Sequence, residues 1–417
     1  METSVKKSKA SNKKSKKRGV WLGAAANVLN RHGISSGSLP MLSKELKVSR
    51  AAVYYYFSDL EDLVFQSYNR SCELLNEHLE SAIESGDTTI STIEHFVENT
   101  LDPNAPELAT LSDLAYLNED RREHVIVQFE RIKLKLENLL LAGAHKGEID
   151  HCEASIVALT ILGFIAWFPS TRNWSTSDPL NDSDLISAMT GLLKQGIAND
   201  RSEDHAIMPI DVRTALMPVT KVFDNAAIAK AKQESLLAAA SWLFNLKGID
   251  ATSLDEIAAR LNVTKKVIYH NVGDKEDLVA ACYSRSFKLY ENVSIAAQNY
   301  EGPALHAIVA ANRAYAESSL SEEITPLAPV SGLERLPPDV FQEISESSDR
   351  MTDSFITLYD TGQKMGSVRQ LNSRALTAIN PGLFEWLPKW LDLLSQHERS
   401  IAPDVIAKLN RVGLLPR

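Results

Sequence analysis

The chain repeats itself, and this repeat constrains its fold more than any other feature. Residues 33–64 align without a gap with residues 248–279, at an offset of 215, and share twelve identities. A second match, between residues 143–169 and 362–388, lies near the end of each half at an offset of 219. Because the offset drifts by only four residues over more than a hundred, we predict that one whole subunit occurs twice in tandem.

The identical residues of the second match are mostly glycine and proline, which often end or bend helices. Its identical pairs are Gly143 with Gly362, Gly147 with Gly366, Gly163 with Gly382, Trp167 with Trp386, and Pro169 with Pro388. The spacing Gly143-x-x-x-Gly147 predicts a helix end followed by a turn.

The start of each copy predicts a helix-turn-helix. In copy one, apolar residues recur at helical spacing up to Gly33, and Ser38 is a candidate N-cap for a short helix that ends at Leu46. In copy two, Ser253 and Glu256 form a capping box. A three-residue turn follows in both copies, and then Ser49 or Thr264 caps a second helix. This geometry presents the second helix to a DNA major groove.

The exposed chemistry of these second helices suits DNA. Arginine, lysine, histidine and tyrosine donate to phosphates or base edges, alanine permits close approach, and cap hydroxyls at helix starts bind phosphate. The candidate DNA-binding residues are Ser38, Ser49, Arg50, Ala51, Tyr54, Tyr55, Ser253, Thr264, Lys265, Lys266, Tyr269, His270 and Lys275. One of Tyr55 and Tyr56 is expected to face the core instead of the groove.

This pattern resembles the TetR/AcrR family of one-component regulators. The residues that carry the resemblance are Leu22-x-Ala-Ala, Gly33-Ile, Ser38-Leu, Leu46-x-Val-Ser, Tyr54-x-x-Phe57, Glu61-x-Leu63 and their partners in copy two. The resemblance covers about sixty residues per copy, and its occurrence twice argues against chance. It implies a three-helix DNA-binding head, a helical body that binds a small effector, and dimerisation through the last two helices of that body.

The two heads depart from the family pattern in different ways. The lysine before the glutamate of the fourth helix is present as Lys275 but replaced by Leu60, and the aromatic Phe57 is replaced by Val272. Residues 19–74 hold five basic and five acidic residues, whereas residues 230–290 hold nine and seven. Since head one is neutral by itself, we expect its attraction to phosphate to come from the basic arm before it. A disordered solubilising tail is the alternative for that arm.

Charge and cysteine content favour a cytoplasmic protein. The net charge is −10, yet residues 1–18 hold eight basic residues and one acid, so the remainder carries −17. The three cysteines are far apart, which argues against a disulfide framework. The longest apolar run, residues 156–168, is shorter than the roughly 20 residues of a membrane span. No membrane partner and no cofactor are expected.

Other chemistry has weaker support. Trp167, Phe168 and Trp386 are candidates for lining an effector pocket, although aromatics at helical spacing more often form core, and the recurrence of Trp167 favours packing. His145, Glu148, His151 and Cys152 fit no compact zinc signature, so no metal site is predicted. No phosphate-binding loop, dinucleotide fingerprint or nucleophile elbow occurs, so nothing favours an enzyme.

The sequence therefore predicts an all-α protein made of two tandem subunits. The predicted domains are a basic arm (1–18), head 1 (19–74), body 1 (75–200), a linker (201–229), head 2 (230–290) and body 2 (291–417). We expect a sequence-specific transcriptional regulator that binds double-stranded DNA, represses, and is released by a small effector. Its two heads would form an intramolecular pseudo-dimer on a non-palindromic operator.

Three alternatives remain open at this point. Two chains could pair into a homodimer with four heads. One head could be degenerate and serve only in dimerisation or protein contact, leaving a protein that is mainly a helical ligand-binding or protein-interaction module. The chain could also be a ligand-binding or enzymatic helical protein that merely kept the heads.

Overall fold

A computed structural model describes residues 18–34, 39–171, 180–202, 206–212, 225–329, 333 and 336–417. Within these ranges the chain is helical, and the one extended pairing is an isolated antiparallel bridge between Ala198 and Val368. The helices of the first half are α1 (18–34), α2 (Leu39–Glu45), α3 (Arg50–Tyr56), α4 (Leu60–Ser85), α5 (Thr89–Leu101), α6 (Glu119–Lys146), α7 (Ala154–Thr171) and α8 (Asp182–Gln195).

The second half repeats this order, as predicted. Its helices are α9 (Asn225–Lys247), α10 (Leu254–Arg260), α11 (Lys265–Asn271), α12 (Lys275–Gln298), α13 (Ala304–Leu320), α14 (Pro338–Lys364), α15 (Ser373–Ile379) and α16 (Gln396–Val412). The counterpart of α7 is interrupted: α15 ends at Ile379, and 3₁₀ turns follow over Asn380–Leu383 and Leu391–Leu393. Pro381 lacks an N–H and sits beside Gly382, which explains why the helix does not continue.

Each head is a three-helix unit with its own core. In head 1, Trp21, Leu22 and Val28 of α1 pack with Leu42 of α2 and Val53 of α3. The equivalent core of head 2 continues into body 2 and includes Leu336 and Ile344. Helix α1 of head 1 also contributes Ala26, Leu29 and Ile34 to the core of the bodies, so both heads pack on their bodies through apolar contacts.

The predicted turn at Gly143-x-x-x-Gly147 is confirmed. Gly147 caps α6 with a left-handed backbone (φ 74°), and Gly366 has the same conformation (φ 78°) after α14. Gly143 and Gly362 serve a different purpose, because a Cβ at Gly143 would lie 2.8 Å from Thr89 Cβ. A Cβ at Gly362 would lie 3.0 Å from Val368 Cβ.

The two bodies pack against each other through their last helices. Helices α7 and α8 of body 1 contact α15, the turns after it, and α16 of body 2. Two glycines at equivalent repeat positions permit a close approach. A Cβ at Gly163 would lie 2.8 Å from Trp386 Cγ, and one at Gly382 would lie 2.7 Å from Phe164 Cδ1. The interface is therefore built from the same repeat positions on both sides.

Backbone hydrogen bonds across this interface come in reciprocal pairs. Ile197 N–H donates to Asn410 O at 2.9 Å, and its counterpart Leu414 N–H donates to Leu193 O at 2.9 Å. Likewise, Ala198 N–H donates to Arg411 O at 2.9 Å.

The counterpart of the bond from Ala198 to Arg411 is donated by Leu415 N–H to Lys194 O at 2.9 Å. A third pair links Asp150 N–H to Leu414 O at 2.8 Å and Arg369 N–H to Ile197 O at 3.0 Å. Such exchange is the signature of a two-fold interface, here formed within one chain.

Helix α7 is apolar on all sides because both bodies cover it. By length and composition it is the one helix within the described ranges that could cross a membrane, with a mean hydropathy of 1.7. However, 72% of that segment is buried inside the protein. A helix that is apolar all round is expected where it contacts its own subunit on one face and a second subunit on the other.

The predicted linker and arm differ in part from the structure. Ile210 and Val212 are buried against the bodies, and the Arg201 guanidinium donates to carbonyls of residues 412–416. Helix α9 begins at Asn225, so residues 225–229 are helical. Arg18 already belongs to α1 and donates to Gln66 Oε1 at 2.8 Å, whereas residues 1–17 of the arm lie outside the described residues.

Candidate nucleic-acid interface

The turn between the two helices of each motif is set by one left-handed residue. Lys47 and its counterpart Asn262 have φ values of 52° and 54°. Val48 N–H donates to Ser43 O, and Val263 N–H donates to Ala258 O, each at 2.9 Å. This conformation satisfies the last carbonyls of the first helix and turns the chain sharply toward the second. Because the two heads share this backbone conformation, the second helix leaves the turn in the same direction in each head.

The caps at the starts of these helices are only partly equivalent. Ala52 N–H donates to Ser49 Oγ at 3.3 Å, which makes Ser49 the N-cap of α3. Thr264 stands at the same position before α11 but forms no side-chain cap bond. The capping box of head 2 is confirmed, with Glu256 N–H donating to Ser253 Oγ at 3.2 Å and Ser253 N–H to Glu256 Oε2 at 2.8 Å. The candidate cap Ser38 lies outside the described residues.

Glu256 of this capping box also forms an ion pair with Lys247. Lys247 Nζ lies 2.6 Å from Glu256 Oε1, and together with the Ser253 backbone amide it lowers the pKa of this carboxyl to about 2. Glu256 is therefore ionised at any pH at which the protein would work.

Helix α3 buries one side chain and presents the rest to solvent. Val53 is fully buried in head 1. Arg50 and Ala51 are exposed at the start of the helix, while Tyr54 and Tyr55 are 53% and 71% exposed. Exposed tyrosines on a helix with a single buried anchor are available to a partner surface.

The third tyrosine of α3 belongs to the head itself. Tyr56 is half-buried and packs on Trp21, with ring centroids 4.5 Å apart. The expectation that one of Tyr55 and Tyr56 faces the core is met by Tyr56.

Helix α11 has the same anchor and a more basic outer face. Ile268, the counterpart of Val53, is fully buried. Lys266 and His270 are exposed, and Tyr269 is 50% exposed. Lys265 lies 3.1 Å from Asp255 of α10, and that carboxylate raises the lysine pKa. Lys265 is thus partly engaged within the head, whereas Lys266 points away from it.

The start of the following helix differs between heads, as the sequence indicated. Asp59 caps α4 and Asp274 caps α12 through its contacts with Glu276 and Asp277 N–H. Lys275 Nζ donates to Asp250 O at 3.3 Å, and Leu60 at the equivalent place is half-buried. At the first residue of this helix, head 2 therefore has a lysine, whereas head 1 has a leucine.

The three aromatic candidates for an effector pocket do not meet in one place. Trp167 is buried at the interface between the bodies, where its Nε1–H donates to Ala378 O at 2.9 Å. Trp386 packs against Gly163, and Phe168 lines a separate small cavity near residues 100–108. Trp167 and Trp386 lie together at the interface between the bodies, and Trp167 also lines the cavity described next.

A cavity that the sequence did not single out lies inside body 2. Its wall includes Glu385, Tyr290 and Tyr315, and Trp167 reaches it from body 1. The signal was present in the repeat, because Glu385 aligns with Ala166 at the offset of 219. Within this matched stretch, the aligned position is an acid in one copy and an alanine in the other, so the repeat does not fix its residue type.

Comparison with known proteins assigns the heads. Residues 22–66 and 236–282 both match the family described as bacterial regulatory proteins, tetR family. Residues 91–197, within body 1, match the tetracyclin repressor-like C-terminal domain.

Individual relatives match smaller or more distant parts. A stretch of 56 residues is 41% identical to the transposon Tn10 TetC protein of Escherichia coli, covering 13% of this chain and 28% of that protein. The TetR-family regulator PfmR from Thermus thermophilus is 20% identical over 44% of this chain and 99% of its own, with a TM-score of 0.36. Apo AibR is 16% identical over 42% of this chain and 96% of its own, with a TM-score of 0.35.

The two exposed second helices, the paired turns and the family matches define a helix-turn-helix regulator of the DNA-binding class. The chain thus resembles two TetR-like subunits in tandem, because a segment of each half matches the tetR family and residues 91–197 match its C-terminal domain.

Proposed function

We propose that this protein is a repressor that binds one operator with both of its heads as an intramolecular pseudo-dimer. The observation that carries the proposal is the set of reciprocal backbone bonds between the bodies, such as Ile197 to Asn410 and Leu414 to Leu193. In an ordinary two-fold regulator such exchange occurs between two chains, and it sets the spacing of the two recognition helices. The proposed function takes place in the cytoplasm and involves no catalytic step.

The operator of such a protein is non-palindromic. Its half-sites lie about 34–36 Å apart, or a multiple of that distance, because both helices enter successive major grooves. Helix α3 offers Arg50, Ala51 and Tyr54, whereas α11 offers Lys266, Tyr269 and His270 at the corresponding face. Since arginine and lysine differ in how they contact guanine and phosphate, each helix selects its own half-site.

Repression is relieved by a small effector in this proposal. The bodies are where such a ligand acts, because α4 and α12 run from the heads into the bodies and move with both. A ligand shifts the heads only if it binds the released arrangement more tightly than the DNA-bound one.

The experiment that tests the function is selection of genomic DNA fragments by the purified full chain, with sequencing at two salt concentrations. We expect one asymmetric motif, and an affinity that falls steeply as salt rises. Recovery of no motif refutes the regulator. Recovery of a perfect palindrome bound equally at both halves refutes the pseudo-dimer with two different heads.

Single-head variants then show whether both heads bind bases. Arg50→Ala and Lys266→Ala should each weaken operator binding by about 1–3 kcal/mol, and each should relax the preference in a different half-site. A substitution without effect identifies a silent head, which is the alternative in which the protein works mainly through its bodies. Lys265→Ala is the matched control, because Lys265 already pairs with Asp255 and should matter less.

The mass of the protein in solution separates the pseudo-dimer from a homodimer. A monomer of 46.1 kDa that binds one operator supports pairing within the chain. A species of twice that mass on the same operator supports four heads.

A further inference from the structure

A small cavity lies inside body 2, between α12, α13, α14 and the segment that follows α15. Its volume is 80 Å³. Six aromatic residues line it: Trp167, Phe287, Tyr290, Tyr315, Phe355 and Phe384. Tyr315 stacks on Phe384 with ring centroids 5.0 Å apart, so this wall is packed and preformed.

Among these rings stands a buried carboxylate. Glu385 is 5% exposed, and its Oε2 atom has no hydrogen-bond partner of good geometry within the described structure. The Tyr290 hydroxyl, also in the wall, lies close enough to this carboxyl to interact with it, but it makes no hydrogen bond of good geometry either. Leaving such groups unsatisfied in a buried place costs free energy, and proteins rarely do so without a function.

Other polar groups of the same wall are satisfied by the protein. Tyr315 Oη donates to Tyr290 O at 3.0 Å. Asn380 Nδ2 donates to Asn312 Oδ1 at 2.7 Å. Tyr315 and Asn380 are thus bonded within the protein, whereas Glu385 Oε2 and the Tyr290 hydroxyl of the same wall make no hydrogen bond of good geometry.

Body 1 has an apolar residue at each of these two positions. The residue equivalent to Glu385 is Ala166, and the equivalent of Tyr290 is Leu75. Ala166 lies within the continuous helix α7, whereas Glu385 follows the 3₁₀ turn over Asn380–Leu383. The acid therefore belongs to the part of the repeat in which the two bodies differ.

We infer that this cavity binds the ammonium group of a small alkyl amine, with Glu385 as the charge partner. A carboxylate surrounded by aromatic faces suits an organic cation, since both attract positive charge. The N–H groups of an ammonium ion would satisfy Glu385 Oε2 and the Tyr290 oxygen together. A bare metal ion fits poorly, because aromatic walls supply few oxygen ligands.

The cavity limits the size of the ligand. A cavity of about 150 Å³ holds benzene, so a space of 80 Å³ accommodates about three or four heavy atoms. Met351, a flexible side chain in the wall, offers room for a longer alkyl tail. Because body 1 lacks the acid, the inference predicts one ligand per chain. Its regulatory consequence, release of DNA, rests on the proposed function, but the binding itself does not.

The test uses n-propylammonium chloride as the probe and 1-propanol as its neutral counterpart of equal size. Titration calorimetry on the full chain without DNA should show saturable binding of one propylammonium per chain. We expect Glu385→Gln, which is nearly isosteric, to weaken this binding by about tenfold or more. The affinity for 1-propanol should stay within about twofold.

The control variant is Glu343→Gln, which removes an exposed carboxylate from α14 and should leave binding unchanged. Glu385→Ala, which gives body 2 the residue of body 1, is a second way to remove the site and should abolish propylammonium binding. Melting curves establish that the variants are folded. Absence of saturable binding, a stoichiometry of two, or equal affinity in wild type and Glu385→Gln would overturn the inference.

A second readout is proton release. Burial raises the pKa of Glu385 to about 8, so the empty site is largely protonated at pH 7. The other titratable groups that face it are Tyr283 and Tyr290 of α12, Tyr315 of α13 and Lys389, and burial raises the pKa of each of these tyrosines. Entry of an ammonium ion should therefore expel the proton of Glu385, and calorimetry in buffers of different ionisation enthalpy measures it.

The failure of this inference is distinguishable from failure of the proposed function. If propylammonium binds but leaves the operator complex unchanged, the site stands and release by this ligand is refuted. If the operator is bound specifically but propylammonium is not, the regulator stands and the amine site is refuted.

Discussion

Substituting Gly163 with alanine tests the interface between the bodies. Alanine in place of glycine inside an exposed helix usually stabilises it by about 1 kcal/mol. Gly163 is buried in α7, and its Cβ would lie 2.8 Å from Trp386 Cγ and 2.9 Å from Gly382 O. The second of these atoms belongs to the backbone and cannot rotate away. Since overpacking costs about 1–3 kcal/mol, we expect a net loss of about 1–2 kcal/mol in the free energy of unfolding.

Gly23→Ala is the matched control for this change. Gly23 also lies within a helix, α1, but nothing stands within 4 Å of a Cβ there. We expect this variant to gain up to about 1 kcal/mol, so the two alanines should shift the urea midpoint in opposite directions.

A double-mutant cycle assigns the loss to the named contact. On a Trp386→Leu background, Gly163→Ala should cost about 1 kcal/mol less than in the wild type, because the indole ring is gone. If Gly163→Ala stabilises the protein as much as Gly23→Ala does, the bodies do not meet as described and the reasoning is refuted.

Three further predictions concern a helix cap, an arginine at the interface between the bodies, and the buried carboxyl of body 2. Ser49→Ala should lower the free energy of unfolding by about 1 kcal/mol, and Thr264→Ala should lower it less, because only Ser49 makes a side-chain cap bond. Urea unfolding of both variants measures the difference, and equal losses would contradict the assignment. Arg369→Ala should cost about 1.5–3 kcal/mol, because its guanidinium donates at 2.7 Å to both Gly191 O and Gly196 O across the interface, whereas exposed Arg350→Ala should cost under about 1 kcal/mol in the same assay. The pKa of Glu385 is raised from 4.5 to about 8 in the folded state. The stability that this carboxyl contributes is therefore fully present below pH 4.5 and is lost as the pH rises to 8, by on the order of 4 kcal/mol. Urea midpoints at pH 5, 6.5 and 8 should therefore fall in the wild type more than in Glu385→Gln, and parallel curves would contradict this.

The sequence predicted the parts of the fold that depend on local signals. The two copies, the order of the helices and the capping box at Ser253 and Glu256 all follow from residue types at fixed spacing. The turn could be placed but its backbone could not be predicted in detail, because Lys47 and Asn262 occupy a left-handed conformation that glycine more often adopts.

What the sequence did not predict depends on contacts between distant segments. Helix α7 is apolar on every side, so its pattern cannot indicate which face meets the other body. Ile210 and Val212 lie in the polar stretch predicted as a linker, and the sequence did not indicate that an apolar surface covers them. The burial of Glu385 was visible only as a mismatch with Ala166, and the sequence alone does not say that its environment is aromatic.

The reciprocal bonds around residues 197 and 414 have a consequence for how the protein responds to dilution. In a regulator made of separate subunits, the DNA-binding form is lost when the chain becomes scarce, because two copies must first find each other. In the proposed pseudo-dimer both partners are covalently joined, so they would pair at a fixed effective concentration. A few copies per cell would therefore all be in the paired form. Each half is also free to diverge alone, as the difference between Ala166 and Glu385 already illustrates.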